Sequence, residues 1–324
     1  MVTGTNDRYL RTDVALPLAF EILEPNLIWG DYVNFIPEET NAFMYRTDVY
    51  TKSSDTKKQA PAIHSLGGLF PELDRSRQTT ASALIESQGF AIRLPRELIR
   101  APGGANELID AYQTAGYWLA EIVNTNILTR LAADGTTSFT NFSPAAVWSA
   151  DGADPIGDLM AFKHDMKREG YPYGMTDAFV NSQAIYELSK YLAQLDTNAF
   201  AHQNIFGMPF QNPNTGNGDT LSIPVFGQVH EVMSGMTDSY ILGLDRNNVA
   251  AELHYYNDPA FSVPTFSYET MGATGGSVMK TVPNAGFNFY QYEEDDTHDT
   301  ILQFWVENKT VVKKSYAISY GTGI

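Results

Sequence analysis

From Asn106 to about Leu131 the side chains Leu108, Tyr112, Ala115, Leu119, Ile122 and Asn126 follow one another at steps of 4, 3, 4, 3 and 4. Ile109, Gly116, Val123 and Ile127 widen the stripe. That period is one face of an α-helix. At about 1.5 Å per residue the helix is roughly 39 Å long, so the remaining elements must pack along it. Pro102, Gly103 and Gly104 break the chain ahead of it, Asn106 supplies a cap, and Asp134-Gly135 is expected to end it. Tyr117 and Trp118, close to the stripe, are expected to pack in the core.

The helix is fed by a stretch whose charge disagrees with the rest of the chain. Between Tyr45 and Arg100 nine Lys or Arg (Arg46, Lys52, Lys57, Lys58, Arg75, Arg77, Arg93, Arg96, Arg100) stand against six acids (Asp48, Asp55, Glu72, Asp74, Glu86, Glu97), a net charge of +3. The whole chain carries −17, which leaves −20 on everything else. A basic arm on an acidic body is suited to lying on another copy of that body, which points to assembly.

Composition removes several function classes. With 324 residues and 43% hydrophobic content the chain can bury a substantial core. It has no Cys, which excludes a disulfide scaffold, thiolate metal sites and a Cys nucleophile. No apolar run approaches a membrane span, and MVTGTNDRYLRTDV lacks the apolar centre of a signal peptide. A pI near 4.6 argues against gripping phosphate backbones, which takes clustered cations.

The element pattern is α+β. Residues 1–44 have no sustained helical period, and Trp29, Phe35 and Phe43 need a surface from their own chain or a neighbour. Alternation at Tyr45–Tyr50 and Ala83–Leu94 around polar, Gly-containing turns predicts a protruding two-legged loop. A second helix is signalled by Asp154 as cap, Pro155 at the first position and Gly170 past the end, with Ile156, Leu159, Met160 and Met166 facing inward. A strand at Ala178–Val180 precedes a third helix, capped by Asn181 or Ser182, that buries Ile185, Leu188, Leu192 and Leu195. Phe200–Asp219 is expected to be a loop. Strands are expected at Ile223–Met233, Ser239–Leu244, Phe287–Tyr292 and Thr300–Val312.

Catalytic patterns are sparse. None of His64, His164, His202, His230, His254 and His298 pairs with another at a metal-binding spacing. The densest acidic cluster, Glu293, Glu294, Asp295 and Asp296 before His298-Asp299, offers oxygen ligands for Ca²⁺ or Mg²⁺, but it lacks the interleaved Gly and terminal Glu of a calcium loop. Its ordinary reading is a solvated turn. The Gly-rich pieces at 272–277 and 214–219 lack the Lys-Ser/Thr of a phosphate loop, and there is no GxSxG elbow. A carboxylate pair for glycoside hydrolysis stays open among 38 acids. No cofactor is expected.

The order of elements carries a resemblance. The leg SALIESQGFAIRLPRELIRAPG leads into a helix ending NILTRLAADGTT. DPIGDLMAFKHDMKREGY, AFVNSQAIYELSKYL, IPVFGQVHEVMSGMTDSYILGLDRNNVA and the closing ILQFWVENKTVVKKSYAI follow. This layout resembles the major capsid protein of tailed bacterial and archaeal viruses, the fold named after the Hong Kong ninety-seven phage. The resemblance implies an N-terminal arm at 1–44, an extended loop at 45–101 lying over a neighbouring subunit, and a peripheral domain with the spine helix at 102–139. An axial domain would follow at 140–262, with its axis loop at Phe206–Asp219, and peripheral strands would return at 263–324.

It further implies a coat protein that assembles with itself into hexamers and pentamers of an icosahedral shell. Double-stranded DNA would be enclosed without sequence-specific contact, and portal, scaffolding or decoration proteins would be partners. The place would be the virion, after assembly in the host cytoplasm, with no membrane. Arg75, Arg77, Arg93, Arg96, Arg100, Trp29 and Phe35 are the candidate inter-subunit contacts. With Met1 close to the arm, scaffolding is expected to be separate or unnecessary. Lys52, Lys57 and Lys58 lie in the loop that some relatives crosslink, yet no motif identifies such a reaction. Two rivals keep their place: an encapsulin-type cargo shell, and a β-rich carboxylate hydrolase from a different class.

Overall fold

The computed structural model describes Ala19 and residues 27–48, 78–138, 143–168, 174–199, 220–223, 226–232, 236, 240–261, 267–271, 277–281 and 285–324, less the single positions 102, 145, 259 and 295. A 3-10 turn at Ile28–Asp31 precedes β1 (Val33–Glu38), β2 (Ala42–Asp48), β3 (Gln78–Leu84) and β4 (Glu86–Leu94). Helices α1 (Arg96–Arg100), α2 (Gly104–Ser138) and α3 (Pro155–Arg168) come next, then β5 (Asp177–Val180) and α4 (Ser182–Ala199). The remainder is strand apart from a 3-10 turn at Ser315–Ala317: β6 (Thr220–Ile223), β7 (Gly227–Glu231), β8 (Tyr240–Leu244), β9 (Ala251–Tyr256), β10 (Ser267–Met271), β11 (Ser277–Thr281), β12 (Phe287–Glu293), β13 (Thr300–Val312) and β14 (Ile318–Thr322). Contacts divide the chain into two units. One comprises Met1–Phe43, Leu84–Ile127 and Leu253–Thr310; the other comprises Met44–Ala83, Leu128–Glu252 and Val311–Ile324.

In the first unit the apolar stripe of α2 buries Leu108, Tyr112, Ala115, Leu119, Val123 and Ile127. Its partner is a sheet of order β1-β9-β13-β12, with β4 also paired to β13. β13 alternates because every second residue faces the helix: Leu302, Phe304 and Val306 are buried, while Gln303, Trp305 and Glu307 are half-buried. Antiparallel register brings Phe289, Phe304 and Phe90 abreast on three strands. Tyr112 sits against this row with its ring edge-on to Phe304 at 5.7 Å, a favoured aromatic geometry. Burial raises the Tyr112 hydroxyl's pKa, and that hydroxyl donates to Gln291 Oε1 at 3.3 Å.

The same helix seats part of the N-terminal segment. Ile28 N–H donates to Asn124 Oδ1 at 3.3 Å, and Trp29 is 1% exposed. A Cβ on Gly116 would fall 2.3 Å from the backbone oxygen of Ala19, so this position needs glycine for close approach. Helix propensity alone would make Gly116→Ala stabilising by about 1 kcal/mol. Overpacking against Ala19 costs roughly 1–3 kcal/mol. We therefore expect urea unfolding to find the variant less stable; a more stable variant would remove the seat.

The second unit is built on a sheet of order β14-β8-β5-β7-β6, in which β5 and β7 run parallel and the other pairs are antiparallel. Helices α3 and α4 cover it with Leu159, Phe162, Ile185, Leu188 and Leu192, all buried. Both helices begin on side-chain caps: Asp154 Oδ1 accepts from Gly157 N–H at 3.0 Å, and Asn181 Oδ1 from Ala184 N–H at 2.9 Å. Trp148 Nε1 donates to Asp158 Oδ2 at 3.0 Å, yet burial, the larger influence, leaves that carboxyl's pKa raised.

Tyr320 on β14 lies 5.2 Å from the ring of Tyr240. Burial first, then the charge of and hydrogen bond with Tyr240, push its hydroxyl up to about 12. A folded pKa above the unfolded value of about 10 gives a stabilisation that is complete below pH 10 and lost as pH rises toward 12. Tyr320→Phe should therefore lose less stability between pH 10 and pH 12 than the native chain in paired urea titrations. Equal losses would refute this.

Several expectations need correction. Helix α2 starts at Gly104 and passes Asp134-Gly135 to end at Ser138. Asp134 is held from within the helix by Arg130, Nε to Oδ2 at 3.2 Å, instead of ending it. The single strand expected at Ile223–Met233 is two, β6 and β7. Pro224 has no N–H to donate to a ladder, Phe226 N–H closes a turn on Ile223 O at 3.0 Å, and Gly227 takes φ +137°. On α3, Met160 is exposed and Phe162 takes the inward position. Strands β1 and β9 and most of β3 were not expected, while β10, β11 and β14 fall within the 263–324 that the resemblance gave to strands without separate bounds. Phe200–Asp219, Gly170, Met166 and Leu195 lie outside the described residues or side chains.

Candidate functional site

Two residues earlier in an α-helix is a rotation of about 200°, and one residue earlier about 100°. Tyr117 and Trp118 therefore stand well away from Leu119, the centre of the buried stripe. The structure leaves them 55% and 49% exposed, against the expectation of core packing. The periodicity carried this signal; the pull of two large aromatics toward the core masked it. Glu107, Asp110, Thr114 and Glu121 are exposed on the same face of α2. From Gly104 to Ile127 the helix has three acids and no Lys or Arg, so this face is negative as well as aromatic.

Where the face meets β4 there is a groove of about 420 Å³ lined by Gln88, Gly89, Phe90, Trp118, Glu121, Ile122, Thr125 and Asn126. Phe90 meets the Trp118 ring edge-on at 5.0 Å. Its far end is closed by amides, with Asn126 Nδ2 donating to Gln88 Oε1 at 3.2 Å. Among the described residues β4 pairs only with β13.

The candidate arginines separate into three groups. Arg75 and Arg77 lie outside the described residues. Arg93, on β4, turns to its own unit: its guanidinium lies 3.0 Å from Glu294 Oε2 and 3.6 Å from Asp299 Oδ2. With the guanidinium 53% exposed, the pairing is worth about 1 kcal/mol or less. Arg96 gives its backbone N–H to Asp299 Oδ1 at 3.2 Å, and Arg100 is exposed at the end of α1. Of the apolar candidates, Trp29 is buried in its own chain, a correction to its assignment as a subunit contact, and Phe35 is half-buried.

Among the described residues the acids of the 293–299 turn face side chains of their own unit. Glu294 accepts from Arg93 and from Thr297 Oγ1 at 2.8 Å, Glu293 lies 3.3 Å from His298 Nδ1, and Asp296 is exposed. Asp295 is outside the described residues. The turn is closed by His298 N–H to Glu294 O at 2.8 Å, with His298 at φ +59°. Among the described residues no group of three or more His, Cys, Asp or Glu is placed to hold a metal. Within the turn the Glu294 carboxylate is engaged by Arg93 and Thr297, and that of Glu293 faces His298.

Two further histidines have acidic partners. His254 Nδ1 lies 2.6 Å from Glu38 Oε1 and its ring stacks on Phe43 at 4.0 Å. In the second unit His230 Nε2 lies 3.0 Å from Asp177 Oδ1, and Arg246 approaches the same oxygen at 3.8 Å. The nearby hydroxyl, Thr176 Oγ1, donates to Asp177 Oδ2 and not to the imidazole, so a nucleophile–base pair is not formed there. Both clusters tie strands together.

No family model and no curated protein matches the chain. Solved structures do. A chain of the satellite phage P4 procapsid aligns with a TM-score of 0.52 and 10% identity over 98% of this chain and 92% of its own. A phage-related protein from Bordetella bronchiseptica aligns at 0.51 and 13% over 96% of both chains. A virus-like particle from Pyrococcus furiosus aligns at 0.50 and 10% over 94% of this chain and 96% of its own. With a long helix packed along a strand sheet in one unit and a five-stranded sheet under two helices in the other, the chain has the fold of the phage major capsid proteins, the Hong Kong ninety-seven type.

Proposed function

We propose that this chain is the subunit of a closed protein shell, the coat of a tailed virus, and that its activity is assembly. The observation that carries the reading is the likeness of fold to the P4 procapsid chain over nearly the whole of both chains. The charge mismatch between residues 45–100 and the body supports it independently. On this reading α2 is the spine of a peripheral domain, residues 1–44 are an arm, 45–101 reach a neighbour, and 140–262 form the axial lobe of hexamers and pentamers. A net charge of −17 repels phosphate, so packed double-stranded DNA would stay mobile inside.

Standard interfaces bury about 1,600 Å². A subunit held by arm, loop and both units would bury several times that, so each contact can be weak while the shell remains hard to leave. Size-exclusion chromatography with negative-stain microscopy of the purified chain tests this: closed shells are expected, and a strict monomer overturns it. A shell enclosing protein cargo is the second reading, favoured by the likeness to a particle from Pyrococcus furiosus, a cellular organism. DNA or protein inside the particles separates the two.

A further inference from the structure

We propose that His254 clamps the strand β1 to the start of β2, and that Glu38 lets the clamp hold when the imidazole takes up a proton. His254 lies on β9 and is 4% exposed. Its Nδ1 donates to Glu38 Oε1 at 2.6 Å, at the end of β1. A carboxylate only accepts, so Nδ1 carries the hydrogen. The flat of the same ring stacks on Phe43, the second residue of β2, at 4.0 Å and 14°. Between these contacts the chain turns through residues 39–41, where Thr40 Oγ1 donates to Ala42 O at 2.8 Å. Asn41 O in turn accepts from Ile85 N–H at 2.8 Å, just after β3 has ended. One imidazole thus joins the strand before the loop to the place where both of its legs begin.

Imidazole ordinarily changes charge between about pH 5 and pH 8. A buried imidazolium without a counter-charge is costly. Here the carboxylate offers it a charge-assisted bond, and the face of Phe43 accepts a cation as well as a neutral ring. The other charged groups on the neighbouring strands meet partners of their own. Glu252, two residues earlier on the same face of β9, lies 2.6 Å from Lys313, and Lys309 of β13 pairs with Glu86 of β4. Glu307 of β13 accepts from Trp305 Nε1 at 3.1 Å, and Tyr256 follows on the His254 face of β9. Glu38 is therefore the charge that answers a proton on His254.

Glu38→Gln keeps the size and an acceptor oxygen but removes that charge. The folded variant then resists a proton that its unfolded chain accepts, so it loses stability as pH falls. Amide exchange of the full chain, corrected for the intrinsic effect of pH on exchange, reads this in peptides covering residues 33–43 and 84–92. Between about pH 8 and about pH 5.5 their protection should fall about tenfold more in Glu38→Gln than in the native chain. Adding His254→Phe to that variant keeps a ring against Phe43 and removes the titrating group, so the extra loss should vanish. An equal pH response in Glu38→Gln and the native chain would overturn the proposal. Persistence of the extra loss in the double variant would do the same, by placing the proton elsewhere.

The clamp itself is read with His254→Ala at about pH 8, where exchange should rise in both peptides together. A rise confined to β9 would remove the clamp. Circular dichroism checks the folding of each variant, and Glu38→Gln, the mildest of them, decides the proposal if His254→Ala does not fold. No particle is needed for the measurement, so its outcome is separate from that of the shell reading.

Discussion

Reversing Arg75 and Arg77 to Glu together is expected to abolish closed particles while the soluble chain keeps its circular-dichroism spectrum and thermal midpoint. The two reversals take residues 45–100 from a net +3 to a net −1, the sign of the body they are proposed to meet. An exposed ion pair is worth about 1 kcal/mol or less, so a single subunit would barely register the change. A shell repeats the same contact at every interface, and the loss of attraction and the gain of repulsion multiply accordingly. Raising salt should then restore some particles, because surface charges are screened within about 10 Å at 0.1 M. Normal particles from the double variant at low salt would remove the loop from the assembly contact.

Phe304→Ala is the largest expected loss of stability. Phe304 lies at the centre of the first unit, buried beneath α2, with Phe90 and Phe289 abreast of it and Tyr112 edge-on. Truncating a buried Phe typically costs 3–5 kcal/mol, because the cavity relaxes only in part. Against a usual total of about 5–15 kcal/mol, urea unfolding of the variant should begin at a markedly lower concentration. A cost near 1 kcal/mol would mean that the sheet and helix do not close on this residue.

Much of the local structure was legible because it depends on near neighbours. The stripe from Leu108 to Ile127 specified a helix face, the alternation from Thr300 to Val312 specified β13 to the residue, and Asp154 and Asn181 were identifiable caps. The misses are of a different kind. Trp118 was read by residue type when its angular position already put it off the stripe. β9 has no alternating pattern, since it lies between β1 and β13 with its first four residues buried. The acidic turn was expected to be a solvated turn, and its pairing with Arg93, some two hundred residues earlier, through Glu294 and Asp299 had no sign in the local sequence.

The opening stripe and the basic stretch before it were enough, from the amino acids alone, to establish a long helix, an α+β pattern and a charge mismatch that points to assembly. Helical period and net charge are properties of a chain's own order, so they survive without coordinates. Tertiary structure alone decided which arginine is paired within its own unit and where a groove opens beside α2. Those depend on β4 and β13 being brought against the helix across some two hundred residues, and distance in sequence carries no information about distance in space.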